Sequence, residues 1–174
     1  LLLLGTGSIA QHIAQTAKHF GKKVTGLSKT GSSKPFFDHV DTIDCLADYL
    51  PKAHAVASIL PSTLDTENIL NETMLALLPA ESVLFNLGRG NVLDLDALAE
   101  QLLLQPQQHA VLDVFNQEPL PSEHAIWQCP NAIITPHIAA PSFPEQVVEV
   151  FVENYHLWCH QQPLKHQVDF IKGY

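Results

Sequence analysis

Short apolar runs alternate with segments of helical period along this chain, and that alternation restricts its fold more than any other feature. LLLL (1–4), KVTGL (23–27), AVASIL (55–60), SVLFNL (82–87), HAVLDV (109–114) and AIIT (132–135) have the length and composition of strands. Between the first two, IAQHIAQTAKHF (9–20) reads as a helix with Ile9, Ile13 and Ala17 on one face. IDCLADYL (43–50), NETMLALL (71–78) and LDALAEQLLL (95–104) also read as helices, with Asn71 and Asp94 placed to cap the last two. A capping box at Ser142-Phe-Pro-Glu145 is expected to open a final helix that runs to about residue 160. The order is β-α-β-α-β-α-β-α-β-loop-β-α. The strands are continuously apolar, as strands must be when helices cover both faces of a sheet. The expected fold is therefore α/β, a doubly wound parallel sheet. The segment 115–131 between the last two strands carries three prolines and is a long loop of the kind that often serves function.

Composition narrows the function. A chain of 174 residues suits one domain, and 46% hydrophobic against 16% charged residues allows a sizeable core. A net charge of −9 without any basic run argues against nucleic acid or an anionic membrane surface as partner. No apolar run approaches a membrane span, and LLLL is too short for a signal sequence. The three cysteines (Cys45, Cys129, Cys159) are far apart and odd in number, and no CxxC pair occurs, which argues against a disulfide framework or a thiolate zinc site. The ten histidines are scattered; His156 and His160, one helical turn apart, read as surface residues. No metal is expected, and a reducing, cytoplasmic location fits best. Residue 1 is Leu and lies inside an apolar run, so the chain reads as a fragment of a longer protein or as its ordered part.

GTGSIA (5–10) joins the first strand to the first helix. Gly5 permits the tight turn, and Gly7 lets the backbone approach a pyrophosphate at the helix N-terminus, where free N–H groups and the helix dipole favour an anion. Ala10 stands where a small residue allows close helix–strand packing. In this strand-turn-helix setting the motif indicates a dinucleotide site. Such sites usually place an acid about 20 residues further on, to hold a ribose 2′-hydroxyl. Here GLSKTGSSK (26–34) offers Ser28, Lys29 and Thr30 instead. Lysine attracts a 2′-phosphate and the hydroxyls can donate to it, so NADP is expected over NAD.

Three more residues stand at or just after predicted strand ends, which face the ligand crevice in an open α/β sheet. They are Arg89 in NLGRG (86–90), Glu118 in DVFNQEP (113–119) and His137 in ITPHIAA (134–140). Arg89 is the chain's single arginine. Pro119 and Pro136 restrict the residues before them to extended backbone. The trio suits hydride transfer to a 2-oxo acid. Arg89 can grip a carboxylate or carbonyl through its planar fork. His137 can give a proton to the ketone oxygen or take it back, and Glu118 can orient and charge the imidazole. Asp113, closing its strand, is either a turn former or a partner for the nicotinamide carboxamide.

At these residues the chain resembles the D-isomer-specific 2-hydroxyacid dehydrogenase family. The resemblance runs through GTGSIA, LPSTLDT (60–66), NLGRGNVLD (86–94), AVLDVFNQEPLP (110–121) and NAIITPHIAA (131–140). It implies a Rossmann-type fold, Arg89 as the substrate-binding arginine, and Glu118 with His137 as the acid–base pair. It places Gly5, Thr6, Gly7, Ser8, Ile9, Leu60, Pro61, Thr66, Leu87, Gly88, Asp113, His137 and Ala139 at the cofactor. Ser28 and Lys29, with PLPSEHAIWQCP (119–130), resemble the NADP-preferring glyoxylate/hydroxypyruvate reductases. The family carries a substrate domain of which the N-terminal part has no counterpart here. The implied organisation is a cofactor domain at 1–160 and a tail at 161–174 that packs on the absent domain. The implied partners are a small 2-oxo or 2-hydroxy acid and a second copy of the intact protein, as a homodimer. Alternatives stay open: another member of the family such as a phosphoglycerate dehydrogenase, a dinucleotide-sensing corepressor-like binding module, or an unrelated dehydrogenase in which the trio is coincidental.

Overall fold

The computed structural model describes residues 1–170 and 173. Two compact units make it up, Leu1–Pro136 and His137–Tyr174. The first holds seven strands: β1 (Leu2–Leu4), β2 (Thr25–Ser28), β3 (His39–Thr42), β4 (Ala55–Ser58), β5 (Val83–Asn86), β6 (His109–Leu112) and β7 (Ala132–Ile134). All pair in parallel, in the order β3-β2-β1-β4-β5-β6-β7. This is the doubly wound Rossmann arrangement extended by one strand, and the order reverses between β1 and β4.

The sequence reading finds six of these strands and misses β3. HVDT has a single apolar residue, Val40, and pairs with β2 alone, at the sheet edge, so it lacks the apolar run of a buried strand. The helices of this unit are α1 (Ser8–His19), α2 (Leu46–Tyr49), α3 (Glu72–Leu75) and α4 (Leu95–Leu104). Asn71 and Asp94 cap α3 and α4 as expected, accepting from Met74 N at 3.1 Å and Ala97 N at 3.0 Å. The helix expected at 71–78 is only one turn long, because Leu77 and Leu78 donate to Met74 and Leu75 in tighter turns that end at Pro79. The segment at 43–50 is a short α-turn flanked by two 3₁₀ turns. On α1 the buried stripe is Ala10 and Ala14, supported by Ile13 and Ala17, whereas Ile9 is 54% exposed.

Burial is uneven across the sheet. One face carries the main core, where Leu2, Leu4, Val56, Leu84, Ala110 and Leu112 meet Leu46 and Leu75 from α2 and α3, and Leu98 and Leu102 from α4. The other face is covered by α1 over β1, β2 and β4, through Leu3, Ala10, Ala14, Val24 and Ala57. On that face Phe85 and Val111 are only half-buried and Ile133 is 60% exposed. Full burial on both faces thus belongs to the middle of the sheet rather than to every strand.

The second unit is built on α5 (Pro144–Cys159). Pro144 occupies the first helical turn, so the cap falls on Phe143 and Ser142 lies one residue outside; the expected capping box does not form. Beyond α5 the chain turns back, with Lys165 N donating to Asn154 Oδ1 at 2.8 Å and the Lys165 ammonium paired with Glu153. Of the tail expected at 161–174, residues 171, 172 and 174 lie outside the described residues.

Candidate functional site

The sheet register brings the strand-end loops into one row. Leu27, Leu4, Ser58, Asn86, Leu112 and Ile134 are successive partners across the last rung of β2, β1, β4, β5, β6 and β7. The next residue of each loop stays tied to the ladder. Gly5 N donates to Leu27 O, Ile59 N to Leu4 O, Leu87 N to Ser58 O, Asp113 N to Asn86 O and Thr135 N to Leu112 O, all at 2.8–3.1 Å. Residues far apart in sequence therefore leave the sheet side by side, about 4.8 Å from strand to strand.

At the reversal point lies the glycine-rich turn. Gly5 has φ +100, a conformation that side-chain-bearing residues avoid, and a Cβ there would stand 3.2 Å from Ile59 O. Gly7 is the N-cap of α1, with no side-chain cap and no acid in the first turn. A Cβ on Gly7 would meet no atom within 4 Å. Ser8 and Ile9 are exposed, while Thr6 is buried and its carbonyl accepts from Gln11 Nε2. An uncapped helix N-terminus opening on free space fits a pyrophosphate in charge and in shape. Ala10 packs into the core beneath α1, in keeping with the need for a small residue there.

The loop after β2 is a compact turn. Ser28 Oγ accepts from Gly31 N at 3.2 Å and Thr30 Oγ1 from Ser32 N at 3.4 Å. Lys29 Nζ lies 2.7 Å from Asp65 Oδ2, a pairing with the loop after β4 that nothing in the sequence announced. In that second loop Thr66 Oγ1 donates to Pro61 O at 2.6 Å and accepts from Thr63 N at 2.9 Å, so its hydroxyl shapes the loop itself. Leu60 is buried at the start of this loop.

Arg89 sits where three loops meet. A Cβ on Gly88 would lie 2.6 Å from Leu60 O, and one on Gly90 would lie 1.9 Å from the carbonyl carbon of Phe115. The two glycines thus press the Arg89 loop against the backbone of the loops after β4 and β6. Arg89 itself is exposed, and its Nη1 donates to Gly88 O at 2.8 Å. Among the described residues its guanidinium makes no ion pair. Asn86, fully buried, donates from Nδ2 to Arg89 O at 3.2 Å, while its Oδ1 has no partner among the described residues. Asn86 is a site residue that sequence reasoning missed. Its only signal was a polar side chain closing an apolar strand.

Just after β6 the buried Asp113 accepts from Thr135 Oγ1 at 2.5 Å, tying together the loops that leave β6 and β7. Glu118 is exposed, and its Oε1 accepts from Phe115 N at 2.9 Å, in the stretch that Gly90 contacts. Arg89, Asp113 and Glu118 therefore share one neighbourhood of the first unit. His137 and Ala139 belong to the second unit. Both are exposed, and His137 has a left-handed backbone with φ 55. No group of three metal-ligating side chains occurs among the described residues.

A reversing parallel sheet with an uncapped glycine turn at its switch point is the architecture of a dinucleotide-binding domain. The family model described as "D-isomer specific 2-hydroxyacid dehydrogenase, NAD binding domain" matches residues 1–139, and the chain belongs to this family. Its cofactor is accordingly a nicotinamide dinucleotide. A curated relative, glyoxylate/hydroxypyruvate reductase A of Klebsiella pneumoniae (strain 342), is 32% identical over 173 residues, which are 99% of this chain and 55% of that protein. The crystal structure of a D-isomer-specific 2-hydroxyacid dehydrogenase family protein from Aeromonas salmonicida superposes with a TM-score of 0.92 at 44% identity, covering 97% of this chain and 55% of the other. The D-isomer-specific 2-hydroxyacid dehydrogenase of Xanthobacter autotrophicus Py2, solved in complex with NADPH and MES, gives 0.93 at 31% identity, covering 100% and 72%. The chain thus spans about half the length of the curated relative.

Proposed function

We propose that this chain is the cofactor-binding part of a reductase that uses NADPH, or less readily NADH, to convert a small 2-oxo acid of the glyoxylate or hydroxypyruvate kind to the D-2-hydroxy acid. The observation that carries this reading is Arg89: the only guanidinium in the chain, exposed, without an ion pair among the described residues, and wedged between glycines two strands from the phosphate turn. When bound, the reduced nicotinamide supplies the hydride. Arg89 grips the carboxylate and carbonyl side of the substrate through its fork, a role that lysine's point charge does not fill. His137 delivers the proton that the ketone oxygen takes up, and Glu118 orients the imidazole.

In the same reading Gly5, Thr6, Gly7, Ser8 and Ile9 cradle the pyrophosphate, and Ser28, Lys29 and Thr30 receive the 2′-phosphate. Leu60, Pro61, Thr66, Leu87, Gly88, Asp113 and Ala139 line the remainder of the cofactor. Residues 1–160 form the cofactor domain, and the tail 161–174 packs on a separate substrate domain. The intact protein is cytoplasmic and homodimeric, a state supported by the exposed Phe151, Tyr155 and Trp158 on α5.

The test is steady-state kinetics of the intact protein with glyoxylate and hydroxypyruvate. His137→Gln is expected to lower kcat by on the order of 100-fold or more. Arg89→Lys is expected to raise KM at least about tenfold, since a bidentate grip becomes a point charge. A near-normal kcat in His137→Gln would sink the mechanism.

A further inference from the structure

The Lys29–Asp65 pair joins two loops that flank the phosphate turn, the one after β2 and the one after β4, across a sequence separation of 36 residues. Both side chains are open to solvent, 67% and 70% exposed. Asp65 stands between Thr63 and Thr66, whose hydroxyls bond to each other at 3.0 Å and hold that loop in shape through Pro61 O and Thr63 N. A carboxylate is therefore fixed within ion-pairing distance of the lysine assigned above to a 2′-phosphate.

Resting on that assignment, we propose that Asp65 is a specificity-determining residue for the cofactor, one that holds Lys29 in the absence of a 2′-phosphate and opposes the phosphate when it arrives. An exposed ion pair is weak and screened by salt, so it does not prevent a stronger anion from taking the lysine. A phosphate monoester carries up to two charges and three acceptor oxygens, against one charge on the carboxylate. It displaces Asp65 from Lys29, but the loop keeps the displaced carboxylate close by, where the two anions repel. NADH presents only ribose hydroxyls at this position and leaves the pair intact. Asp65 thus lowers the preference for NADPH that Lys29 alone would create.

The experiment is direct binding of NADPH and NADH to the chain and to its Asp65→Asn, Asp65→Lys and Lys29→Ala variants, followed by nicotinamide fluorescence at low and high salt. Asp65→Asn is expected to tighten NADPH on the order of three- to tenfold at low salt, from the removal of one negative charge beside Lys29. NADH is expected to change by less than about twofold, since it brings no charge there. Asp65→Lys should tighten NADPH further, and added salt should shrink both effects. Unchanged or weaker NADPH binding in Asp65→Asn, with Lys29→Ala still weakening NADPH, overturns the role of Asp65 and leaves the cofactor assignment standing. If Lys29→Ala leaves NADPH affinity as it was, the assignment of the 2′-phosphate to Lys29 falls, and the role of Asp65 falls with it.

Discussion

Replacing Gly7 with alanine separates folding from ligand binding at one atom. The backbone of Gly7 has φ −71 and ψ −170, an extended conformation open to any L-residue. A Cβ there would touch nothing within 4 Å. The folded chain therefore bears no steric cost, while the unfolded chain loses some of glycine's freedom, so stability should rise by about 0.4–1 kcal/mol. For a chain of this size that is a gain of about 1–4 °C in Tm. The added methyl occupies the space through which a pyrophosphate must approach the amides that begin α1. Losing one hydrogen bond to a charged group costs about 1.5–3 kcal/mol, and about 1.4 kcal/mol is a factor of ten in Kd. Dinucleotide affinity should thus fall about ten- to a hundredfold while the melting temperature of the free protein holds or rises. Thermal melting and fluorescence titration of Gly7→Ala on the same preparation give both quantities. Unchanged affinity would show that no phosphate is cradled at Gly7, and a lower Tm would show that the space around it is not open.

Gly90→Ala should behave in the opposite way: its Cβ would fall 1.9 Å and 2.2 Å from backbone atoms of Phe115 and Asn116. Overpacking of this kind costs about 1–3 kcal/mol, visible as a lower urea midpoint; an unchanged midpoint would mean that the loop after β6 yields freely. Acid should also weaken the fold through Asp38, whose pKa is lowered first by its bond from Lys18 and then by the backbone N–H of Val24. A lowered pKa contributes stability that is complete above the ordinary carboxylate value of 3.8 and is lost as pH falls through the folded value. Asp38→Asn should accordingly be less stable at neutral pH and lose less on acidification, which denaturation at pH 7 and pH 3 would check.

How much of this was legible in the sequence follows from the range of the forces involved. Buried strands declare themselves through apolar runs, and the caps Asn71 and Asp94 through their position before a helical period, because both signals are local. The edge strand β3 lacks the run, since only one of its neighbours is a strand, and it was missed. The supposed cap Ser142 failed because Pro144 dictates the first helical turn whatever hydroxyl stands nearby. That Arg89, Glu118, Asp113 and the phosphate turn lie on one edge of the sheet was legible because strand ends in a parallel sheet face one way. Their supports were not. Thr135 reaches Asp113 over 22 residues, and Asp65 reaches Lys29 over 36. No spacing rule connects such pairs until the sheet register is known.

The glycines around Arg89 show what that register adds to a motif. In the sequence, Gly88 and Gly90 look like permission for a turn, and either could be exchanged for another small residue. In the structure a Cβ on Gly88 would overlap the Leu60 backbone and one on Gly90 the Phe115 backbone, so the pair closes three loops around a single arginine. Asn86 reinforces the closure from below by donating to Arg89 O. In the role proposed for Arg89, a backbone held by its neighbours and a guanidinium bonded to Gly88 O leave less freedom to lose on binding, and such preorganisation reduces the entropic cost. The constraint falls on the glycines and Asn86 as much as on Arg89. Replacing the arginine leaves the loop in place, whereas replacing a flanking glycine must move the loop that carries it.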